Sequence, residues 1–261
     1  MDITRHNILS NNRDLLLAWT SRTIRARYQQ SVLGGLWTII QPAATVAIFT
    51  IIFSYFIHID TGKVPYAIFS YAALVPWTLF TASITDMVDS LVANMNLVTK
   101  IYFPREILPI AAMLARLLDF GIAYGVLFLL MVLFRLPLFP MGWLYLPVIL
   151  SIQLALSLGI GLAGAALNVF YRDIKHLFAL VLQVWLYATP IIYPTTMVPE
   201  QLRPYYFINP MAGIIEAYRA VLLYQRLPEL NLLISAIISV IVLLIGYWFF
   251  KRVENQFADV V

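Results

Sequence analysis

Asn168–Pro194 reads NVFYRDIKHLFALVLQVWLYATPIIYP, and the reading of this stretch decides the fold. It opens on a charged turn, Tyr171-Arg172-Asp173-Ile174-Lys175, set between two long apolar runs. From His176 to Pro194 no Asp, Glu, Lys or Arg occurs, while Trp185, Tyr187 and Tyr193 do. A charged turn between two membrane-length runs is a helical hairpin bend held at a water interface, because charge and free backbone groups both need water there. Pro190, Pro194 and Pro199 mark where the second run stops being a regular helix. Beyond them, as far as Leu227, the chain is too polar to span a membrane and too apolar for an ordinary loop.

Composition carries the same message outward. The 261 residues are 62% hydrophobic and 11% charged, with a mean hydropathy of +0.85. Soluble domains carry about 25% charge, so this chain is an integral membrane protein. Transmembrane barrels announce themselves as short alternating segments, and none occurs. The expectation is an all-α membrane protein with six transmembrane helices. The net charge of +4 contains no run of five like charges and points to membrane topology, not nucleic acid. The absence of cysteine removes disulfide and thiolate chemistry. The first 34 residues are too polar for a cleaved signal peptide. We read 1–34 as an N-terminal segment and 35–261 as a single membrane domain.

Residues 9–32 predict an amphipathic helix, with Leu17, Ile24 and Tyr28 on one face and Arg22 and Arg25 on the other. A basic amphipathic helix ahead of a first span lies along the membrane surface. Gly34-Gly35 breaks the chain before span one, Leu36–Ile57. The further spans are Pro65–Leu91, Glu106–Phe134, Trp143–Phe170, the quoted stretch, and Asn231–Phe250. Span four carries Gly159, Gly161, Ala163, Gly164, Ala165 and Ala166, a surface on which helices approach closely. With the N-terminus inside, that side collects Arg5, Arg13, Arg22, Arg25, Arg27, Lys100, Arg105, Arg172, Lys175, Lys251 and Arg252. The other side receives Lys63, Arg135, Arg203, Arg219 and Arg226. Eleven against five places both termini in the cytoplasm. Residues 195–227 then lie outside, as two short helices, Glu200–Tyr206 and Met211–Tyr224, on either side of Asn209-Pro210. Neither is long enough to cross, and together they predict a re-entrant hairpin above a cavity, since irregular backbone at membrane depth needs protein or water around it.

Catalytic signatures are sparse. No G-x-x-x-x-G-K-[ST] occurs, so the chain does not hydrolyse ATP by a P-loop. His6, His58 and His176 make no metal-ligand pattern. Asp86 and Asp89 form D-x-x-D on span two, a spacing that suits a magnesium pyrophosphate in membrane prenyltransferases, or two acids paired with nearby bases. Arg116 and Asp119, three residues apart, predict an ion pair near the inner interface. Spans one, two and five carry Phe49, Phe53, Phe56, Trp77, Phe80, Trp185 and Tyr187. Aromatic faces stack on sugar rings, and the same residues also serve core packing and lipid contact.

An ordered set of motifs resembles a known family: W-T-I-I-Q-P at Trp37–Pro42, F-P-R-E at Phe103–Glu106, Y-R-D-I at Tyr171–Ile174, and I-N-P-M-A-G-I-I-E-A-Y-R at Ile208–Arg219. Together with the basic N-terminal helix they resemble the ABC-2 permeases, and among those the membrane subunits of bacterial O-antigen, capsule and teichoic-acid exporters. The resemblance covers nearly the whole chain. It implies a homodimer in the bacterial inner membrane, two separate ABC ATPase subunits carrying the ATP and Mg, and no cofactor on this chain. The substrate it implies is a lipid-linked polysaccharide moving between protomers. It also implies that residues 94–105, with Lys100, Ile101, Tyr102, Phe103 and Arg105, couple to the ATPase, and that the helix bearing Arg22 and Arg25 touches it too. Glu200–Tyr224, with Glu200, Asn209, Pro210, Glu216 and Arg219, resembles the outer gate. Spans one and five are similar to the channel-lining pair, and the aromatics above are the residues for that lining. A drug or small-lipid exporter of the same fold, an aspartate-dependent membrane prenyltransferase and a passive channel are the alternatives.

Overall fold

The computed structural model describes residues 2–29, 34–62, 64–101 and 103–258, with side chains described from residue 12 to residue 257. Lys63 and Tyr102 lie outside the described residues. Among the described residues all regular structure is helical. The helices are α1 (Asp2–Tyr28), α2 (Trp37–Phe49), α3 (Tyr66–Ala93), α4 (Met95–Lys100), α5 (Ile107–Leu133), α6 (Pro140–Trp143), α7 (Leu146–Phe170), α8 (Ile174–Tyr187), α9 (Arg203–Tyr206), α10 (Pro210–Leu222) and α11 (Leu230–Val253). Short 3₁₀ turns precede α2 at Gly34–Leu36 and follow α11 at Glu254–Ala258.

Among the described residues five stretches are long and apolar enough to cross a membrane: Gly34–Phe56, Tyr66–Ala93, Ile107–Leu133, Pro140–Phe170 and Leu230–Phe257. Their ends fall within three residues of the sequence reading, except that the last stretch runs on to Phe257 where the sequence reading stopped at Phe250. The break before the first span is real: Gly34 has φ +48°, a left-handed conformation that glycine adopts without a Cβ clash. The first span does not stay α-helical; Thr50–Phe56 widens into π-helical turns, a departure hydropathy alone does not show. Two local expectations are corrected. α8 has 14 residues, about 21 Å at 1.5 Å each, and leaves the helix at Ala188, two residues before Pro190. The helix expected over Glu200–Tyr206 shrinks to Arg203–Tyr206, after a 3₁₀ turn at Thr195–Met197, because Pro199 and Pro204 allow little helix between them.

α1 also differs from its expectation. It starts at Asp2, earlier than read, and its apolar residues do not gather on one face over the full length. Leu15-Leu16-Leu17 alone sweeps about 200° at 100° per residue, and Leu17 is 54% exposed.

α3 is the centre of the bundle: 78% of its most apolar window is buried, against 17% for α5 and 11% for the first span. α5, α7, α2, α8 and α10 all pack on it. The α7–α11 pair is the most extensive contact in the chain, and glycine explains it. A Cβ on Gly246 would strike the carbonyl of Gly159, and one on Gly159 would meet the backbone of Val242 and Leu243. Gly161 and Gly164 likewise admit Met87 and Val88 of α3, so the small-residue surface of α7 meets two helices. Two buried amides lock α7 to α3: Gln153 Nε2 donates to the Pro76 carbonyl at 2.8 Å and Asn168 Nδ2 to the Val88 carbonyl at 2.9 Å.

The core divides in two. One cluster runs from Tyr66 and Phe69 through Phe80 to Ile214 and Tyr218. The other holds Met87, Leu91, Val98, Met113, Phe250 and Phe257. Side-chain contacts gather Trp19 of α1, the 94–106 turn, Phe170 and the end of α11 at this second end of the bundle. α10 and the 188–194 segment occupy the other.

Candidate functional site

At the first end, the chain after α8 runs irregularly from Ala188 to Pro194, and its carbonyls need donors. Arg219 on α10 supplies them. Its side chain is fully buried, with Nη1 donating to the Pro190 carbonyl at 2.5 Å and Nη2 to Ile191 at 2.8 Å and Phe69 at 3.4 Å. Its guanidinium also lies 3.5 Å from the centroid of the Phe69 ring. No carboxylate lies within 4 Å of it among the described residues. Tyr66 completes the set by donating to the Ile192 carbonyl at 2.7 Å. One guanidinium and one phenol therefore hold three successive carbonyls of a non-helical segment. Burial pushes the Glu216 carboxyl, one turn from Arg219, above the ordinary carboxylate range, and Arg219 pulls it partly back.

Asn209 closes the next corner. Its side chain caps α10 by accepting from the Met211 amide at 3.1 Å, and Pro210 takes the first helical position, where its missing N–H costs nothing. The same side chain accepts from Trp185 Nε1 at 2.9 Å and donates to Thr189 Oγ1 at 3.0 Å and to the Ala188 carbonyl. α8, the irregular segment and α10 thus meet in one residue. Glu200 stands apart on the surface, 3.9 Å from Arg203 and 90% exposed, and Tyr193 shares a hydroxyl contact of 3.0 Å with Tyr206.

The seven aromatics separate into two groups. Phe80 is fully buried and Trp77 is 3% exposed; they pack at 5.5 Å on each other, and Phe80 meets Trp185 edge-on at 5.4 Å. Trp185 is partly buried, while Phe80 and Trp77 have no free face. Phe56 and Tyr187, at 75% and 65% exposure, have one. Phe49 and Phe53 are half-buried and continue a ring series through Tyr66 to Phe69, beside Arg219. An open apolar groove of about 710 Å³ runs between Phe53 and Ile57 on one side and Tyr193, Leu202 and Tyr206 on the other.

At the opposite end the 94–105 segment forms α4 and an extended residue, Ile101. Lys100 and Ile101 are exposed, as are Arg22 and Arg25 on α1, Arg22 lying over Trp19 at 4.3 Å. Phe103 is partly buried against the second core cluster, and Arg105 donates to the Glu254 carbonyl. Tyr102, assigned to the same surface, lies outside the described residues.

Between the two ends sits a knot of four charges. Arg116 grips Asp86 through Nε at 2.7 Å and Nη2 at 2.8 Å, and reaches Asp119 at 3.1 Å. Arg27 bridges the same acids at 2.6 and 2.9 Å, and the Tyr28 hydroxyl donates to Asp119. The expected Arg116–Asp119 pair is present, but it belongs to a larger set that fastens α1 to α3 and α5. A cavity of about 160 Å³ lies beside it, lined by Trp37, Thr38 and Gln41. Asp86 spends both oxygens on arginines, while Asp89 lies by the Asn168 amide, so the two acids do not converge as a cation pair would. Among the described residues no three of His, Asp and Glu gather as metal ligands.

Reasoning from the sequence picked Arg219 and Asn209 but missed Phe69, which faces Arg219, and Tyr66, which holds the neighbouring carbonyl, and missed Arg27 as the second base of the knot. A lone arginine in an apolar helix demands acceptors, yet nothing local says which turn provides them.

The chain resembles the O-antigen export system permease protein RfbA of Myxococcus xanthus, with 29% identity over 95% of each chain. It is 28% identical to the RfbA of Klebsiella pneumoniae, again over 95% of both. It is 25% identical to the polysialic acid transport protein KpsM of Escherichia coli, over 90% of this chain and 91% of that one. The ABC-2 type transporter model matches residues 14–223, from the middle of α1 to the end of α10. By that match, which takes in the charge knot and the Asn209–Arg219 corner alike, the chain belongs to the ABC-2 type transporter family.

Proposed function

We propose that this chain is the permease subunit of an ATP-driven exporter that carries an undecaprenyl-diphosphate-linked polysaccharide, such as O-antigen, across the bacterial inner membrane. The observation that carries the reading is the near full-length similarity to permeases named for O-antigen export. The chain works as a homodimer with two ABC ATPase subunits, which hold the ATP and Mg; it has no P-loop of its own. Six crossings put both termini in the cytoplasm, with α8 and the irregular residues after it together making the fifth. Those residues need buried partners at membrane depth, and Arg219 and Tyr66 meet that need.

The glycan path runs between protomers along the first span and α8. Phe49, Phe53, Phe56 and Tyr187 offer faces to it, and Trp77 and Phe80 back Trp185 from behind. Stacking of about 0.5–1.5 kcal/mol per contact lets a polymer slide where stronger clamps would hold it. The segment 195–227, with Glu200, Asn209, Pro210, Glu216 and Arg219, closes the outer end. Residues 94–105 with Arg22 and Arg25 meet the ATPase.

The test is reconstitution of the permease with its ATPase in vesicles, offered lipid-linked glycan, free glycan or an apolar amine drug. ATP-dependent uptake and stimulated hydrolysis are expected with lipid-linked glycan alone. Stimulation by the drug and not by the glycan would make the chain a drug exporter of the same fold.

A further inference from the structure

We propose that the C-terminal turn, Lys251–Ala258, is a positioning element that holds the 94–105 segment in place; its use in transport rests on the reading of that segment as the ATPase contact. Short turns that follow a helix stay ordered where something ties them down, and this one is tied at several points. Phe257 is fully buried, 5.6 Å from the Phe250 ring and 5.9 Å from Phe170, with the Arg105 guanidinium 5.8 Å from its own centroid. Arg105 also donates to the Glu254 carbonyl. Lys251 joins Glu106 at 2.8 Å to Glu254 at 3.0 Å. Residues from three places in the chain, Arg105 with Glu106, Phe170 and Phe250, thus converge on one short turn.

α4 needs this support. It has six residues, and isolated helices shorter than about 12–15 residues are marginal in water. Its one buried side chain, Val98, packs in the same cluster as Phe250 and Phe257. A load on α4 therefore has a route to the ends of α11 and α7 through Phe257, beside its direct join to α3 through Asn94. A polar cavity of about 230 Å³ lies between Phe103–Glu106 and Lys251, Glu254 and Asn255, so the contact is concentrated at the phenyl ring, the lysine bridge and the Arg105 hydrogen bond.

The chain has no cysteine, so a single spin label at Ile101→Cys reports on the segment directly. In the permease–ATPase complex, Phe257→Ala is expected to loosen that label and to cut glycan exported per ATP hydrolysed about tenfold. Phe257→Leu is expected to restore both. Lys251→Met breaks the bridge without opening a cavity and is expected to loosen the label too, which keeps the test alive should Phe257→Ala fail to insert. Ile101→Glu separates the two readings: if it exports normally, the ATPase contact is misassigned, whereas the label still reports on positioning. An unchanged label in Phe257→Ala and Lys251→Met overturns the proposal.

Discussion

The indole N–H of Trp185 donates to the side-chain oxygen of Asn209 at 2.9 Å, so the last turn of α8 and the first turn of α10 share one corner. Asn209 also caps α10 and holds Thr189. Asn209→Ala removes the cap, worth about 1 kcal/mol, and strands the indole. The corner then loosens while the spans stay packed. Ion leak through the resting complex in planar bilayers is expected to rise with Asn209→Ala and with Trp185→Phe, and less with Asn209→Asp, which keeps the acceptor. Ion-tight bilayers for both of the first two variants would remove this corner from the closure.

The charge knot predicts strong coupling between residues distant in sequence. Asp86, Asp119, Arg27 and Arg116 have side chains 14–25% exposed, so solvent screens them only in part. Removing one acid leaves two guanidinium groups short of a partner, at a cost of about 1–3 kcal/mol once that screening is discounted. Asp86→Asn and Arg116→Gln together are expected to cost less than the sum of the two alone, with a coupling above about 1 kcal/mol. Thermal unfolding of the four proteins in one detergent measures it. Additive losses would reduce the knot to independent surface pairs.

Much of this architecture can be read from the chain because the bilayer enforces it. An apolar run of membrane length between charged turns has few alternatives, and five spans fall where hydropathy places them. The small-residue surface of α7 was legible for the same reason: Gly159 admits a helix backbone wherever that helix comes from. What stayed hidden depends on the meeting of distant segments. Phe80 and Phe56 look alike in sequence, yet one is sealed in the core and the other is 75% exposed. Arg27 reads as one more inside charge until α1 folds back onto Asp86 and Asp119. Phe257 lies in a polar tail, and no periodicity marks it as core.

That difference between look-alike aromatics is itself testable. Phe80→Ala empties a fully buried site and is expected to cost about 3–5 kcal/mol of stability. Tyr187→Ala, at a 65% exposed position, is expected to leave stability within about 0.5 kcal/mol and to slow glycan export. Melting temperature and export rate are read on the same preparations. A normal export rate in Tyr187→Ala would move the path away from the exposed face of α8.

Arg219 gives the sharpest expectation, because its charge is held by backbone and not by an acid. Pro190 and Ile191 lie in a stretch with no helical partners for their carbonyls, and Arg219 is buried against both. Arg219→Met keeps much of the volume but leaves those carbonyls unpaired, at about 1–3 kcal/mol for each. Arg219→Lys keeps the charge; a single ammonium lacks the planar fork that reaches Pro190 and Ile191 while facing Phe69. Both variants are therefore expected to free the segment between α8 and Pro194. Tyr66→Phe, which loses only the bond to Ile192, is expected to show the same change at smaller size. Proteolytic nicking between residues 188 and 194, measured in sealed vesicles beside glycan export, follows that release directly. Nicking is expected to rise in the order Tyr66→Phe, Arg219→Lys, Arg219→Met, with export falling in the same order. If Arg219→Met exports at the normal rate and resists the protease, the three carbonyls are held by the packing of α10 alone, and the arginine is a bystander to the closure.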